Sequence, residues 1–374
     1  MRKSTVPMIQ CPKPKGKTSC RGEIALFGQE EVAGDEIVYG TLQCKNCQAV
    51  YPILQGVAIV VGDVESYVLY HAKGISKWVP LEKIPSEYRD EFQEALAEIA
   101  SEHIEEDLES ERVNALYLMT HYLSADPAKA KWWQNQHGSS SPLIDALILE
   151  HWNHGPFYEI GKIFESKFSN PVSVLELGCG VGGLLRVVGE RAKSYLGVDS
   201  SFASIALARH LNLGVPYDGK IRIPEDLLLG STSRESGIAA ETRFAHNADF
   251  IVGEIENCCL KPKQFDVSIV LNAMDMLEEP ECLPQLQNEM VHASGFAIQS
   301  CPYIWHEMVS KKLRSKLVSA RNHQIRDSAG VAKWLYEKNG FKILTSNEQV
   351  PWLFLKHPRQ LEIYSAHLFL AQKA

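Results

Sequence analysis

Two hydrophobic periods divide this chain. Between Ser86 and Ile99, apolar residues recur at three- and four-residue spacing behind a serine and acidic start, which predicts an amphipathic helix. Arg112–Leu123 is a second helical candidate, and the acidic run Glu102–Glu111 reads as a solvated helix face. Later the period shortens. Ser173–Leu177, apolar except at Glu176, predicts a short buried strand, and Tyr195-Leu-Gly-Val-Asp199 a second that ends in an acid. Gly295–Ser300 and Leu361–Leu370 predict two more. His137-Gly-Ser-Ser-Ser-Pro142 breaks the helical pattern and marks a boundary.

Between the first two strands lies Gly178-Cys-Gly-Val-Gly-Gly183. Gly178, Gly180 and Gly182 remove every Cβ that would keep a ligand away from the turn. The helix predicted over Gly183–Arg191 would begin with free N–H groups facing that ligand. Asp199 is placed to accept hydrogen bonds from ribose hydroxyls, as in doubly wound nucleotide folds. A plain strand-to-helix turn is the competing reading.

The spacing Glu176-x-Gly178-x-Gly180-x-Gly182 differs from the G-x-G-x-x-G of dinucleotide binders. Together with Asp199 it resembles the first two motifs of class I S-adenosylmethionine-dependent methyltransferases. The resemblance implies an α/β fold, a doubly wound, Rossmann-like seven-stranded sheet. Asp249–Glu254 resembles its third strand and Gln264–Asn272 its fourth. It further implies that Glu176, Gly178, Gly180 and Gly182 cradle the methionine part of the donor. Asp199 would take the ribose, Glu254 and Ile255 the adenine, and Asn272 would sit beside the transferring methyl.

Nine cysteines, without the hydrophobic leader of a secreted chain, point to thiols or metal and to a cytoplasmic protein. Cys44-Lys-Asn-Cys47 is a C-x-x-C knuckle that would join Cys11 and Cys20 in a tetrahedral zinc site. Cys11 and Cys20 are separated by a Lys/Pro-rich insertion wider than the usual spacing. The pattern Cys-Pro…Cys-Arg-Gly-Glu-Ile…Cys-Lys-Asn-Cys…Tyr-Pro-Ile over residues 8–62 resembles the small zinc-ribbon activator of tRNA, rRNA and release-factor methyltransferases. A ribbon that folds on its core without metal is the alternative. The organisation expected is a zinc ribbon over 1–62, a helical linker or lid over 63–142, and the methyltransferase domain over 143–374.

Composition narrows the partners. The net charge of −8 lacks the basic balance of most nucleic-acid enzymes, so RNA is possible but not favoured. Apolar runs fall short of the ~20 residues a membrane helix needs.

Cys301-Pro-Tyr-Ile-Trp-His-Glu307 and Pro351-Trp-Leu-Phe-Leu-Lys-His-Pro-Arg359 resemble two strings of the mercaptohistidine N-methyltransferases and the methyltransferase domain of ovothiol synthases. Leu355 and Lys356 replace that family's Arg-Glu pair. The resemblance implies N-methylation of a small molecule or peptide, with a histidine-like acceptor among the candidates. Tyr303 and His306 are the expected substrate contacts and catalytic candidates, with Asp275 and His357 as further bases. An RNA or translation-factor methyltransferase with its ribbon fused in cis is the alternative. A non-catalytic binding protein of the same fold is the third reading.

Overall fold

The computed structural model describes residues 1–16, 18–101, 113–123, 142–217, 221–224, 233–235, 238–322, 324–357 and 360–374. The acidic run Glu102–Glu111, residues 137–141 of the expected break, and Arg359 lie outside the described residues, as does the side chain of His357.

The N-terminal module opens with a 3₁₀ helix at Lys3–Met8 and is otherwise built of β strands. β1 (Pro14–Lys15) and β2 (Thr18–Ser19) pair as a small hairpin. β3 (Ile24–Ala33), β4 (Glu36–Cys44), β5 (Val50–Leu54) and β6 (Val57–Ala58) form an antiparallel sheet in chain order. Ile37, Leu42, Tyr51 and Ile53 fill its buried side.

Helices follow, as the periodicity predicts. Val64–Tyr70 starts where the Asp63 carboxylate accepts from the Ser66 amide at 3.1 Å, satisfying one free N–H of the first turn. Arg89–Ser101 buries Phe92 on its apolar side. Residues 113–118 are helical and run into a π-turn at Met119–Leu123. Pro142–His154 and Pro156–Lys167 lead into the large sheet.

That sheet contains β7 (Val172–Leu177), β8 (Ala192–Asp199), β11 (Ala248–Val252), β12 (Phe265–Leu271), β13 (Val291–Cys301), β14 (Phe341–His357) and β15 (Gln360–Lys373). A separate hairpin, β9 (Arg222–Pro224) with β10 (Ser233–Glu235), lies in the long connection before β11. The sheet order is β11-β8-β7-β12-β13-β15-β14, parallel except for β15, which runs antiparallel to both neighbours. Val174, Leu175 and Leu177 on β7 and all five residues of β11 are buried. This is the composition of strands covered on both faces.

The chain leaves β7 for β8 on one side, whereas β12 enters on the other. The reversal opens a crevice at the carboxyl ends of β7 and β12, where open α/β sheets bind ligands.

One expectation fails here. The helix predicted over Gly183–Arg191 is α-helical only at Leu185–Val188 and tightens to a 3₁₀ turn at Gly189–Arg191. Three glycines at 182, 183 and 189 weaken helix propensity, and a Cβ at Gly189 would fall 2.6 Å from the Phe244 ring. Its N-terminus offers no free amide at Gly183, whose N–H points to His121 Nδ1 at 3.4 Å.

The N-terminal module is joined to the large sheet at the β11 edge. Ile59 bridges in parallel to Val252, and the Val60 amide donates to Val252 O at 3.0 Å. The Gln10 amide donates to Cys259 O at 2.7 Å. Arg209, fully buried, pairs with Asp249 on β11 and Glu36 on β4. Ile53, Val60, Phe250 and Ile251 belong to one continuous core.

Candidate functional site

Sheet register brings the sequence-predicted residues to one edge. Val252 pairs with Asp199, Leu177 with Val198 and Val270, and Leu271 with Ser300. Gly178, Asp199, Glu254, Asn272 and Tyr303 therefore all follow strand ends at the same crevice.

The glycine turn is built for bare backbone. Gly178, Gly180 and Gly182 have φ of +72°, +50° and +75°, values that L side chains rarely adopt. Their reasons differ. A Cβ at Gly182 would lie 2.7 Å from Phe250 and 2.8 Å from Ala208, so that glycine serves packing. A Cβ at Gly180 would meet only His121 Cε1, at 3.6 Å. The turn is held by Asp199, whose Oδ2 accepts from the Gly180 amide at 2.9 Å and Oδ1 from the Ser201 amide at 2.8 Å. Each oxygen keeps a lone pair for a hydroxyl. Burial raises the Asp199 pKa.

Glu176 sits beneath the turn. It is 1% exposed, the Tyr195 hydroxyl donates to it, and burial pushes its pKa up to about 8. The carboxyl is thus bonded to the neighbouring strand β8. Ile255 and Ala273 flank Gly178 on the other side. Asn272 has φ +52°, its amide donates to Ser300 O at 2.7 Å, and its buried Nδ2 has no partner.

Tyr303 also has positive φ, +59°, a strained value for a bulky residue. Its hydroxyl meets His367 Nδ1 at 2.7 Å, and His367 Nε2 meets Ser346 Oγ at 2.9 Å, so the group is engaged between strands. His306 is exposed, and its Nδ1 accepts from the Met308 amide at 3.4 Å, capping helix Glu307–Ser319. Asp275 accepts from the Ile304 amide at 2.7 Å and so fixes the turn that carries Tyr303.

Periodicity did not reveal the roof. The π-turn lies on the glycine loop: the Tyr122 hydroxyl donates to Val181 O, and Thr120 Oγ1 donates to Leu353 O at 3.2 Å. His121 packs edge-on to Phe157 and Trp352, and burial drops its pKa to about 3, so the ring stays neutral. Tyr117 sits one helical turn earlier, and the Tyr67 hydroxyl donates to Ser200 O at 2.6 Å beside Asp199. A partly open recess among Thr120, His151, Phe157 and Trp352 has room for about one water. His151, on helix Pro142–His154, meets Pro351 O and the Leu353 amide at 3.1 Å each.

The second cluster is the cysteine set. The sulfurs of Cys11, Cys20, Cys44 and Cys47 lie within 4.8 Å of one another, with Cys11–Cys47 at 3.5 Å and Cys20–Cys44 at 3.8 Å. Four thiolates about 2.3 Å from a tetrahedral ion would be about 3.8 Å apart. The wide Cys11–Cys20 spacing is absorbed by the β1–β2 hairpin, which returns the Cys20 amide to Lys13 O at 2.9 Å and the Arg21 amide to Cys11 O at 2.9 Å. A Cβ at Gly22 would press on Cys44 Sγ at 2.6 Å. Tyr51 Oη lies 2.9 Å from Cys11 Sγ. The donor set fits a metal ion.

No known family profile matches the chain, and no curated protein matches it. Solved structures do. One is a chain from the complex between the Haloferax volcanii Trm112 methyltransferase activator and a putative methyltransferase. It is 11% identical, covers 66% of this chain and 94% of that one, and has a TM-score of 0.37. Magnesium protoporphyrin IX methyltransferase from Synechocystis PCC 6803, with bound SAM, is 12% identical over 71% of this chain and 97% of its own, at TM-score 0.39. An S-adenosylmethionine-dependent methyltransferase from Mesorhizobium loti is 14% identical over 58% and 97%, at 0.36. Among the described residues, no helix is long and apolar enough to cross a membrane.

Proposed function

We propose that the chain is an S-adenosylmethionine-dependent methyltransferase acting on a small molecule or peptide, with one structural zinc ion in its N-terminal module. The observation that carries the reading is the bare backbone of Gly178 and Gly180 facing the switch-point crevice, with Asp199 at the adjoining strand end. Two features fit the donor: the unpartnered Nδ2 of Asn272, and a turn where Gly180 has no neighbour that needs its Cβ absent.

When bound, the donor supplies an electrophilic methyl on a sulfonium. Gly178 and Gly180 would hold its methionine end, the free lone pairs of Asp199 its ribose hydroxyls, and Ile255 with Glu254 its adenine. Asn272 would donate from the end of the fourth sheet strand beside the methyl. In-line displacement needs little acid–base help, so the chain mostly contributes alignment and a dry site. His121 and Tyr117 roof that site. Tyr303 belongs to its wall as a positioning group, held by His367; His306, exposed at a helix cap, is the weaker catalytic candidate. Four cysteine ligands leave zinc no open position, so its role is structural.

Calorimetric titration with S-adenosylmethionine, on protein with its metal intact, tests the reading; no heat of binding would overturn it. Acceptors are then sought by mass among metabolite and peptide fractions incubated with labelled donor. One observation favours a second reading, an RNA or translation-factor methyltransferase with its ribbon in cis: the cysteine module is joined to the catalytic sheet at β11. Methylation of total RNA by the intact chain would decide for it.

A further inference from the structure

Three half-buried rings form a row over the carboxyl edge of the sheet. Tyr117 meets Phe354 edge-to-face at 5.6 Å, and Phe354 meets Tyr364 the same way at 5.8 Å. The first comes from the strap across the glycine loop, the other two from the β14–β15 hairpin, so the row bridges elements far apart in sequence. Asp275, buried at the same edge of the sheet, accepts from the Ile304 amide. Burial raises the pKa of both Tyr117 and Tyr364; Asp199 and then Asp275 act on Tyr117, while the Tyr364 hydroxyl donates to Glu362 at 2.8 Å and is raised next by that carboxylate and least by Asp275. Tyr117 thus feels both the acid of the donor crevice and the acid just beyond Asn272. Asn272 and its unpartnered Nδ2 lie three residues before Asp275.

Resting on the methyltransferase reading, we propose that this aromatic row with Asp275 is the acceptor subsite, and that the acceptor is a small amine. The face of an aromatic ring attracts a cation, and ring boxes of this kind take alkylammonium groups. The charge flow of the reaction agrees. A neutral amine nitrogen attacks the methyl carbon, the N–C bond forms as the C–S bond breaks, and positive charge moves from sulfur to nitrogen. The leaving group is a neutral thioether and the product an ammonium. Rings and a carboxylate around the nitrogen therefore stabilise the positive charge that develops there, which the neutral attacking amine lacks.

The test uses full-length, metal-replete protein saturated with S-adenosylhomocysteine. Choline and its neutral isostere 3,3-dimethylbutan-1-ol are titrated against it. The cation binds about tenfold or more tightly than the alcohol. Tyr117→Leu and Phe354→Leu each abolish that preference, and Tyr117→Phe retains it. Equal binding of the two probes, no choline binding, or a preference that survives both leucine variants overturns the proposal. The S-adenosylhomocysteine titration in the same sample reports the donor site separately. If it binds while the cation shows no preference, the amine subsite falls and the methyltransferase reading stands.

Discussion

Gly180→Ala separates a ligand cradle from an ordinary turn. Gly180 has φ +50°, and its added Cβ would meet only His121 Cε1 at 3.6 Å, an ordinary van der Waals contact. The fold therefore loses only the left-handed preference, about 1–2 kcal/mol. For a chain of this size that is a fall in melting temperature of about 2 °C. If the donor lies against this backbone, the same methyl intrudes on the ligand, and overpacking of that kind costs about 1–3 kcal/mol. S-adenosylhomocysteine affinity, measured by calorimetry, then drops tenfold or more. Gly182→Ala is the control with the opposite balance, because its Cβ would strike Phe250 and Ala208 inside the core. It lowers the melting temperature more than Gly180→Ala does. Unchanged affinity in Gly180→Ala, at a normal melting temperature, would refute the cradle.

Other outcomes follow from the buried charges and the cysteines. Glu176 titrates near 8 in the folded chain, above an ordinary carboxyl, so its contribution is complete at acid pH and lost as pH rises through 8. His121 and His151, lowered by burial to about 3 and 4, oppose it, and their contribution is lost as pH falls below 6.5. Thermal stability should therefore fall by about 1 kcal/mol between pH 6.5 and 8, and Glu176→Gln should flatten that limb; a limb unchanged in the variant would contradict the assignment. Arg209→Ala leaves Asp249 buried without its partner, at a cost of about 3–5 kcal/mol in denaturant unfolding; a loss below 1 kcal/mol would show the pair to be unimportant. Elemental analysis should find one zinc per chain. Chelation or Cys44→Ser should remove it and lower the melting temperature by several degrees, because the binding energy of a structural ion is part of folding.

The parts legible in the sequence were those where one local requirement dominates. Alternating or continuous apolar runs placed β7, β8, β13 and β15, and glycine spacing marked three left-handed residues, because each follows from backbone or burial alone. The cysteines were found by ligand chemistry despite the insertion between Cys11 and Cys20, since a hairpin closes that gap. What was hidden depends on contacts between distant segments. Amphipathic spacing predicts a helix near Arg112–Leu123 but cannot say that its last turn widens to bond Val181, or that Tyr117 and His121 face the crevice. His306 follows a strand at the right edge, yet its ring turns back to cap its own helix. Glu176 reads as a ligand contact from its motif, which does not announce its bond to Tyr195 on the next strand.

The seam at β11 carries a consequence for biogenesis. Ile59 and Gln10 leave the ribosome 193 and 249 residues before Val252 and Cys259, with which they pair. Until then the cysteine module has an unsatisfied flank, and contacts of such sequence separation are slow to form. Conversely, a fragment begun at residue 63 would leave β11 as a naked margin, open to pairing with its own kind. Dissecting this protein at its apparent joint should therefore yield two sticky pieces rather than two working ones.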